Sequence, residues 1–240
     1  MKPGPAQAPR PLVQPPAADP LADWDADHAD SFGRVADEVF APMYPFLVQD
    51  VAAVLGRPLA GLVVLEIGGG VGNMALEMLR AGVARLDDLD ISAAMLDRAG
   101  ARLAGHPGLA GRFRPVLGEA GALPFAAGSY DLVFSRGSIQ FWPDIPAALA
   151  GIRRVLRPDG LAYVGGGFGL STPPALRDSI LREKEARMAQ MRGGSPMPQL
   201  DKAELLAAAR SLGGRARLVQ GDGGFWVQWF PHRPADGNRE

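Results

Sequence analysis

The clearest pattern along the chain is a short apolar run that leads into a glycine-rich turn. Residues 62–67 are apolar apart from Glu66, which is typical of a buried parallel strand. The glycines that follow, four within five residues, are Gly68, Gly69, Gly70 and Gly72. From Met74 onward, apolar side chains recur at steps of three and four residues, which predicts an amphipathic helix. Strand, turn and helix in this order predict the start of a βαβ unit.

Strand and helix patterns continue to alternate along most of the chain. Further strands are predicted at residues 85–89, 112–117, 129–135 and 161–164, and helices at 73–81, 93–104, 143–156, 173–191 and 202–212. The last two apolar segments, 215–220 and 225–230, flank a glycine-rich turn and predict a β-hairpin. This order of elements predicts an α/β fold with a largely parallel sheet.

The composition of individual segments predicts the domain organisation. Prolines and alanines dominate residues 1–20, which predicts a disordered tail. The next segment has a helical pattern that we expect Pro42 and Pro45 to break. The glycine run at 165–169 predicts either a flexible mouth over a pocket or a plain loop. The predicted organisation is a tail at 1–20, a helical segment at 21–58, a main domain at 59–232 with an insertion around 165–200, and a loose tail at 233–240.

Composition also narrows the classes of function. The 240 residues, 47% of them hydrophobic, suit one α/β domain with additions. A net charge of -1 without a dense basic tract argues against a nucleic-acid partner. The lack of cysteine excludes disulfides, thiolate metal ligands and cysteine nucleophiles. His28 has no second histidine at ligand spacing, so no metal site is predicted.

The sequence carries no strong membrane or secretion signal. No uninterrupted apolar run approaches the ~20 residues of a membrane-spanning helix. The N-terminus contains a lysine but lacks the apolar stretch of a secretory signal. We therefore expect a cytoplasmic protein without a membrane partner.

The spacing of the glycines distinguishes two classes of ligand for the turn. A dinucleotide-binding turn has the form G-x-G-x-x-G, but the third glycine of that pattern would fall on Asn73. The pattern E-x-G-x-G-x-G fits instead, from Glu66 to Gly72. In this stretch the chain resembles the class I S-adenosylmethionine-dependent methyltransferases. A glycine-rich turn without any ligand is the other interpretation of the same residues.

The resemblance implies a fold, a cofactor and a set of binding residues. The implied fold is a Rossmann-like, seven-stranded, mostly parallel sheet with helices on both faces and an antiparallel C-terminal hairpin. The implied cofactor is S-adenosyl-L-methionine, with S-adenosylhomocysteine as the product. The acid and the glycine turn would hold its methionyl part and ribose, through Glu66, Gly68, Gly69, Gly70 and Gly72. The helical segment before the first strand would form a lid that helps to shape the substrate pocket.

A second candidate group lies at the end of the second predicted strand. Asp90 follows Gly72 by 18 residues, and a carboxylate at this strand tip can accept both hydrogen bonds of a ribose diol. Asp87 and Asp88 interrupt the apolar run of this strand, where the family usually has small or β-branched residues. The resemblance extends to Asp90-Ile91-Ser92-x-x-Met95-Leu96 and implies that Ile91 and Met95 sandwich the adenine ring. Ordinary helix core is the alternative role of Met95.

Two further stretches complete the implied cofactor site. Glu119 and Ala120 match the family positions that meet the adenine amine and ring edge, although the acid there is usually aspartate. Ser135 and Arg136, at the end of the fourth predicted strand, would lie near the amino-acid end of the cofactor. Arg136 could instead pair with a carboxylate, either that of the cofactor or that of a substrate, or be a surface arginine.

The resemblance implies methyl transfer to a small-molecule acceptor by in-line displacement. Such a reaction needs an aligned nucleophile and exclusion of water, and no convincing general base is evident, so catalytic residues are not assigned. The lack of cysteine argues against the thiol-dependent arsenite-methylating branch. Three alternatives stay open: an S-adenosylmethionine enzyme with a different reaction, a nucleotide-binding oxidoreductase, and a non-catalytic cofactor-binding module.

Overall fold

A seven-stranded sheet forms the centre of the described part of the chain, which in this computed structural model comprises residues 25–190, 199–221 and 223–233. Its strands are β1 (Val63–Ile67), β2 (Arg85–Asp90), β3 (Phe113–Leu117), β4 (Tyr130–Arg136), β5 (Leu156–Gly167), β6 (Arg215–Gly221) and β7 (Gly224–Phe230). The strand order is β3-β2-β1-β4-β5-β7-β6. The first five strands are parallel, and β7 is antiparallel to both β5 and β6. The predicted Rossmann-like sheet and its antiparallel C-terminal hairpin are confirmed.

The helices lie on both faces of this sheet. They are α1 (Ala26–Val35), α2 (Tyr44–Leu55), α3 (Asn73–Arg80), α4 (Ala93–Ala104), α5 (Pro107–Ala110), α6 (Ile145–Val155), α7 (Pro174–Gln190) and α8 (Lys202–Ser211). Because successive strand residues face opposite sides, neighbouring residues of β1 enter different cores. Val64 joins a cluster with residues of α2 and α3, whereas Leu65 joins one with residues of α6 and α8.

The segment before β1, which we call the lid, changes helix type without being interrupted. A π-helical turn (Ala36–Phe40) and a 3-10 turn (Ala41–Met43) connect α1 to α2. The predicted break therefore takes the form of a change in hydrogen-bonding pattern, because Pro42 and Pro45 have no N–H groups for a regular α-helical ladder.

Length and composition alone would allow the helical run Ala26–Leu55 to cross a membrane. The pattern of apolar residues in the sequence predicts no segment of this kind. In this fold, the apolar side chains of Val39, Met43 and Leu47 within the run belong to the core of the domain. A core helix of this kind passes the same length test. Cytoplasmic location stays a prediction.

The glycine run 165–167 lies in the sheet and is not the mouth or loop that the sequence predicts. It forms the end of β5 and pairs with Trp226, Phe225 and Gly224 of β7. A Cβ atom at Gly165 would lie 2.1 Å from the Phe225 carbonyl oxygen, so the close approach of β7 requires glycine. The strand also begins earlier than predicted, at Leu156, which pairs with Tyr130 ahead of a register shift.

Several predicted segments fall outside the described residues. They are the N-terminal tail at 1–20, a loop at 193–198 within the insertion, and most of the C-terminal tail at 233–240.

The sheet has a topological switch point between β1 and β4. From β1 the chain adds β2 and β3 on one side of the sheet, and it then adds β4 and β5 on the other side. In open α/β sheets, a ligand crevice forms at the carboxyl ends of the strands at such a point.

Candidate functional site

The glycine turn joins β1 to α3 at this switch point of the sheet. Gly68, Gly70 and Gly72 have φ angles of 71°, 59° and 79°, in the left-handed region that favours glycine. Gly72 is also the N-cap of α3 and has no side chain with which to cover the N–H groups of the first turn. The positive end of the α3 helix dipole therefore lies at the turn.

Asp90 faces the turn. Its Oδ2 atom accepts a hydrogen bond from the Gly70 N–H at 3.0 Å, and its Oδ1 atom accepts one from the Ser92 N–H at 2.9 Å. Burial raises the pKa of this carboxyl, and the two N–H groups partly oppose the rise. Each carboxylate oxygen can accept a further hydrogen bond, so Asp90 retains the capacity to bind a diol.

Glu66 carries a buried oxygen that has no partner. Only 3% of the residue is exposed, and among the described residues its Oε2 atom has no hydrogen-bond partner. Burial and the neighbouring Asp90 raise the pKa of Glu66 to about 8, and Arg136 acts in the opposite direction. Because buried polar atoms are nearly always bonded, this oxygen indicates a site for a ligand donor.

Asp88 is a third carboxylate at the turn, although in the sequence it only interrupts the apolar run of a predicted strand. It is fully buried, and its Oδ1 atom accepts a hydrogen bond from the Gly69 N–H at 3.2 Å. Burial raises its pKa well above the ordinary value, and Glu66 and Asp90 raise it further. The signal was available, because residues two apart on a strand share a face, which places Asp88 beside Asp90.

Asp87 lies on the opposite face of β2 from Asp88 and Asp90, because successive side chains of a strand point to opposite faces. Its Oδ2 atom accepts a hydrogen bond from the Tyr130 hydroxyl at 2.7 Å, and its Oδ1 atom lies 3.1 Å from Arg85 Nε. These contacts are on the opposite face from the turn. Within the described ranges, no group of three or more histidines, cysteines and acids could hold a metal ion.

The residues predicted to meet the adenine differ in how far they are accessible. Ile91 is 40% exposed, and Leu117, the strand partner of Asp90 on β3, is 63% exposed. Glu119 is exposed, whereas Ala120 is buried at the start of a 3-10 turn. Ile91, next to Asp90 in the chain, and Leu117, its partner on β3, are therefore exposed apolar side chains near Asp90, and the sequence did not point to Leu117.

Met95 packs beneath the lid. It is almost fully buried in a small cluster with Ala29, Ala36 and Val71, two of which belong to the lid. Its side chain thus has a core position, and a contact with adenine stays a prediction.

Ser135 is also buried, and its hydroxyl takes part in a hydrogen-bond network under the turn. Ser135 Oγ lies 2.7 Å from Ser138 Oγ, which donates to the Ile67 carbonyl at 3.0 Å. Trp142 Nε1 donates to the same Ser138 hydroxyl at 3.1 Å. A Cβ atom at Gly68 would lie 2.3 Å from Ser138 Cβ, so this network fixes the backbone of the turn from below.

Arg136 links the end of β4 to the lid and is not a surface arginine. Its Nε atom donates to the Gly167 carbonyl at 3.0 Å. Its guanidinium carbon lies 5.4 Å from the ring centroid of Phe40 and 5.5 Å from that of Tyr44. Both distances fit cation–π contacts. Arg136, whose charge also acts on Glu66, therefore connects the end of β4 to two aromatic residues of the lid.

The lid lies directly over the glycine turn. The Phe32 ring would be 3.4 Å from a Cβ atom at Gly70. Asp37 accepts a hydrogen bond from Asn73 Nδ2 at 2.8 Å and pairs with Arg102 at 2.7 Å. Arg102 Nε in turn donates to the Val71 carbonyl at 2.7 Å. The lid, the turn and α4 are therefore connected through one arginine.

A cavity of about 160 Å³ opens between the lid and α7. Its lining residues are His28, Ser31, Phe32, Val35, Phe40, Lys184 and Arg187. Phe32 also covers Gly70, and Phe40 also supports Arg136. The cavity thus shares two aromatic walls with the surroundings of the turn.

Comparison with known proteins identifies a known domain within the chain. A family model described as a methyltransferase domain matches residues 65–164. A solved structure from Methanococcus maripaludis, named as a candidate S-adenosyl-L-methionine-dependent methyltransferase, superposes with a TM-score of 0.72 and is 26% identical, covering 90% of this chain and 96% of that one.

Two curated relatives match a shorter stretch. The ubiquinone/menaquinone biosynthesis C-methyltransferase of Dinoroseobacter shibae is 39% identical over 45% of this chain and 43% of its own length. The malonyl-[acyl-carrier protein] O-methyltransferase of Halorhodospira halophila is 36% identical over 48% of this chain and 37% of its own. The chain spans less than half the length of the curated relatives it matches.

Residues 65–164 form a methyltransferase domain, and the fold is that of the class I S-adenosylmethionine-dependent methyltransferase family. The residues at the turn fit the cofactor of that family. The buried, unpartnered oxygen of Glu66 matches a cationic amino group, and Asp90 matches a ribose diol.

Proposed function

We propose that this chain binds S-adenosyl-L-methionine at the glycine turn and catalyses transfer of its methyl group to a small-molecule acceptor. The observation that carries the proposal is the set of three buried carboxyl groups at the turn, Glu66, Asp88 and Asp90. Such a site attracts a cationic ligand and repels the pyrophosphate of a dinucleotide. The missing third glycine, at Asn73, points the same way.

Each end of the turn has a distinct role in this proposal. Glu66 accepts from the amino group of the methionyl part, and Asp90 accepts from the ribose hydroxyls. Ile91 and Ala120 supply apolar contacts to the adenine, with Glu119 at its amine. Met95 and Ser135 act from beneath, through packing and through the hydrogen bond to Ser138.

When bound, the cofactor supplies an activated methyl group on a positively charged sulfur. The task left to the chain is to hold the acceptor in line with that group and to exclude water. Phe32 and Phe40 supply the covering surface, and the cavity that they border is the proposed route of the acceptor. The net charge of -1 favours a small molecule over a nucleic acid.

Calorimetric titration tests the cofactor part of the proposal. We expect S-adenosylhomocysteine to bind and NAD not to bind. Asp90→Asn should weaken S-adenosylhomocysteine binding by about tenfold or more, because the amide keeps only one acceptor oxygen. Asp97→Asn, an exposed acid on α4, is the matched control and should bind normally. Binding of NAD alone would contradict the proposal.

Turnover separates an enzyme from a non-catalytic cofactor-binding module. The measurement is formation of S-adenosylhomocysteine from S-adenosyl-L-methionine in the presence of a panel of small acceptors. Val35→Trp, which fills the cavity, should raise the KM for an acceptor and leave S-adenosylhomocysteine binding unchanged. Asp27→Trp introduces the same side chain at an exposed position of α1 that does not line the cavity, and it should alter neither. Cofactor binding without turnover of any acceptor would favour the module.

A further inference from the structure

Glu66 and Asp88 face each other across two neighbouring strands. Their Cα atoms are partners in the parallel pairing of β1 with β2, and strands in a sheet lie about 4.8 Å apart. Both side chains are on the face that meets the glycine turn, since Asp88 bonds to Gly69 and the pKa of each responds to the other or to Asp90. Two carboxyl groups therefore share one buried space.

Each of the two carboxyl groups has one oxygen without a partner. In the part of the chain that the structure describes, Glu66 Oε2 and Asp88 Oδ2 are both buried and make no hydrogen bond. Two ionised carboxylates in this position would be costly, because burial of unpaired like charges is strongly unfavourable. One proton held between them removes a charge and turns one unpartnered oxygen into a donor for the other.

The surrounding charges favour retention of that proton. Asp90 on β2 adds negative charge, and Tyr44 of the lid is a neutral phenol whose pKa burial raises further. Arg136 on β4 is the cation that acts on Glu66, and the Gly69 N–H acts on Asp88. Burial, together with the nearby negative charges, raises the pKa of Glu66 to about 8 and that of Asp88 well above its ordinary value.

We propose that Glu66 and Asp88 share one proton beneath the glycine turn and release it to solvent when the cationic amino group of the cofactor binds beside them. The inference rests on the proposed cofactor site. The incoming charge replaces the proton as the counterion of the pair, so the net charge of the site is conserved. Asp88 is a positioning residue here, because it acts through Glu66 and through the Gly69 backbone.

Calorimetry in two buffers measures this proton directly. S-adenosylhomocysteine, which carries the same amino group, is titrated at pH 7 in phosphate and in Tris, whose ionisation enthalpies differ. The difference in observed binding enthalpy gives the number of protons released, which we expect to be about one. Asp88→Asn should bind with little or no release. Asp87→Asn is the matched control, a buried acid one residue away on the opposite face, and should release as the unaltered protein does.

An infrared difference spectrum provides a readout that needs no variant. Addition of S-adenosylhomocysteine should remove the C=O stretch of a protonated, buried carboxyl group. Equal binding enthalpies in both buffers, unchanged release in Asp88→Asn, or a persistent carboxyl band would overturn the inference and leave the proposed cofactor site standing. Failure of S-adenosylhomocysteine to bind at all would overturn both.

Discussion

The Asp88 carboxylate occupies the space in which a side chain at Gly69 would lie. A Cβ atom at Gly69 would be 2.3 Å from Asp88 Oδ1, and unlike Gly68 and Gly70 this glycine has no positive φ. The need for glycine is therefore steric. We expect Gly69→Ala to lower the free energy of unfolding by roughly 1–3 kcal/mol, the usual cost of overpacking, in urea denaturation.

A double-mutant cycle tests the cause of that loss. In an Asp88→Ala background the clash disappears, so Gly69→Ala should cost about 1 kcal/mol less than it does in the unaltered protein. Gly100→Ala, inside α4, controls for the change of residue type. Its Cβ atom would meet none of the described atoms within 4 Å, and we expect a gain of roughly 0.5–1 kcal/mol. Equal costs of Gly69→Ala in both backgrounds would show that Asp88 is not the obstacle.

The raised pKa values of Glu66 and Asp88 predict that the ligand-free protein loses stability as pH rises. In the unfolded chain these carboxyl groups titrate near pH 4, whereas Glu66 titrates at about 8 in the folded state. Between about pH 4 and pH 8 the folded state thus binds more protons, and the free energy of unfolding falls with increasing pH. Thermal unfolding between pH 5 and pH 8 measures this slope.

Asp88→Asn should flatten that slope, because it removes one group with a raised pKa and one source of the raised pKa of Glu66. Asp87→Asn, on the other face of β2, should leave the slope as it is. The lowered pKa of Asp131 has the opposite sign, since burial is outweighed there by the Val63 N–H and Arg157. Its contribution is complete by pH 5 and does not affect the comparison. A stability that is constant or rises over this range would contradict the assignment.

Arg102 should control how long the cofactor product stays bound. It joins the Val71 carbonyl of the turn to Asp37 of the lid, so its loss uncouples the two. We expect Arg102→Ala to raise the Kd for S-adenosylhomocysteine by about tenfold, mainly through faster dissociation in stopped-flow measurements. Arg98→Ala, one turn earlier on α4, removes an ion pair between α4 and lid Asp30 without touching the turn. A similar effect of both variants would mean that general lid attachment, and not the link to the turn, sets the rate.

The carboxylates at the strand ends of this site could be predicted from the sequence, but the packing of the lid around them could not. Glu66 and Asp90 could be predicted because each belongs to a short motif in which one strand, one turn and one carboxylate are adjacent in the chain. Asp88 did not stand out in the same way, because it interrupts an apolar run and only the strand face that it shares with Asp90 places it at the turn.

The remaining features depend on contacts between distant segments. The position of Arg136 over Phe40 requires the lid to pack on the end of β4, and no local pattern encodes that approach. The burial of Met95 likewise depends on the lid residues above it. In each case the residue was identified, but its role is set by an element remote in sequence.

Gly165 provides the sharpest test of such a remote constraint. A Cβ atom there would lie 2.1 Å from the Phe225 carbonyl oxygen and 3.0 Å from Trp226 Cα, both in the backbone of β7. The strand cannot move aside, because the Trp226 ring is packed against Phe134 and Tyr163 at centroid distances of 5.7 Å and 4.7 Å. We expect Gly165→Ala to lower the free energy of unfolding by about 3 kcal/mol or more.

Gly166→Ala is the control within the same strand. The nearest atoms to its Cβ would be the Cα and N atoms of Gly137 at 3.5 Å, an ordinary contact. Both substitutions restrict the unfolded chain equally, so their difference in urea denaturation isolates the clash with β7. Gly166→Ala should change the free energy of unfolding by less than about 1 kcal/mol. If Gly165→Ala were tolerated equally well, β7 could not lie as close to the end of β5 as this register requires. The antiparallel pairing of β5 with β7 would then be wrong at this end of the strands.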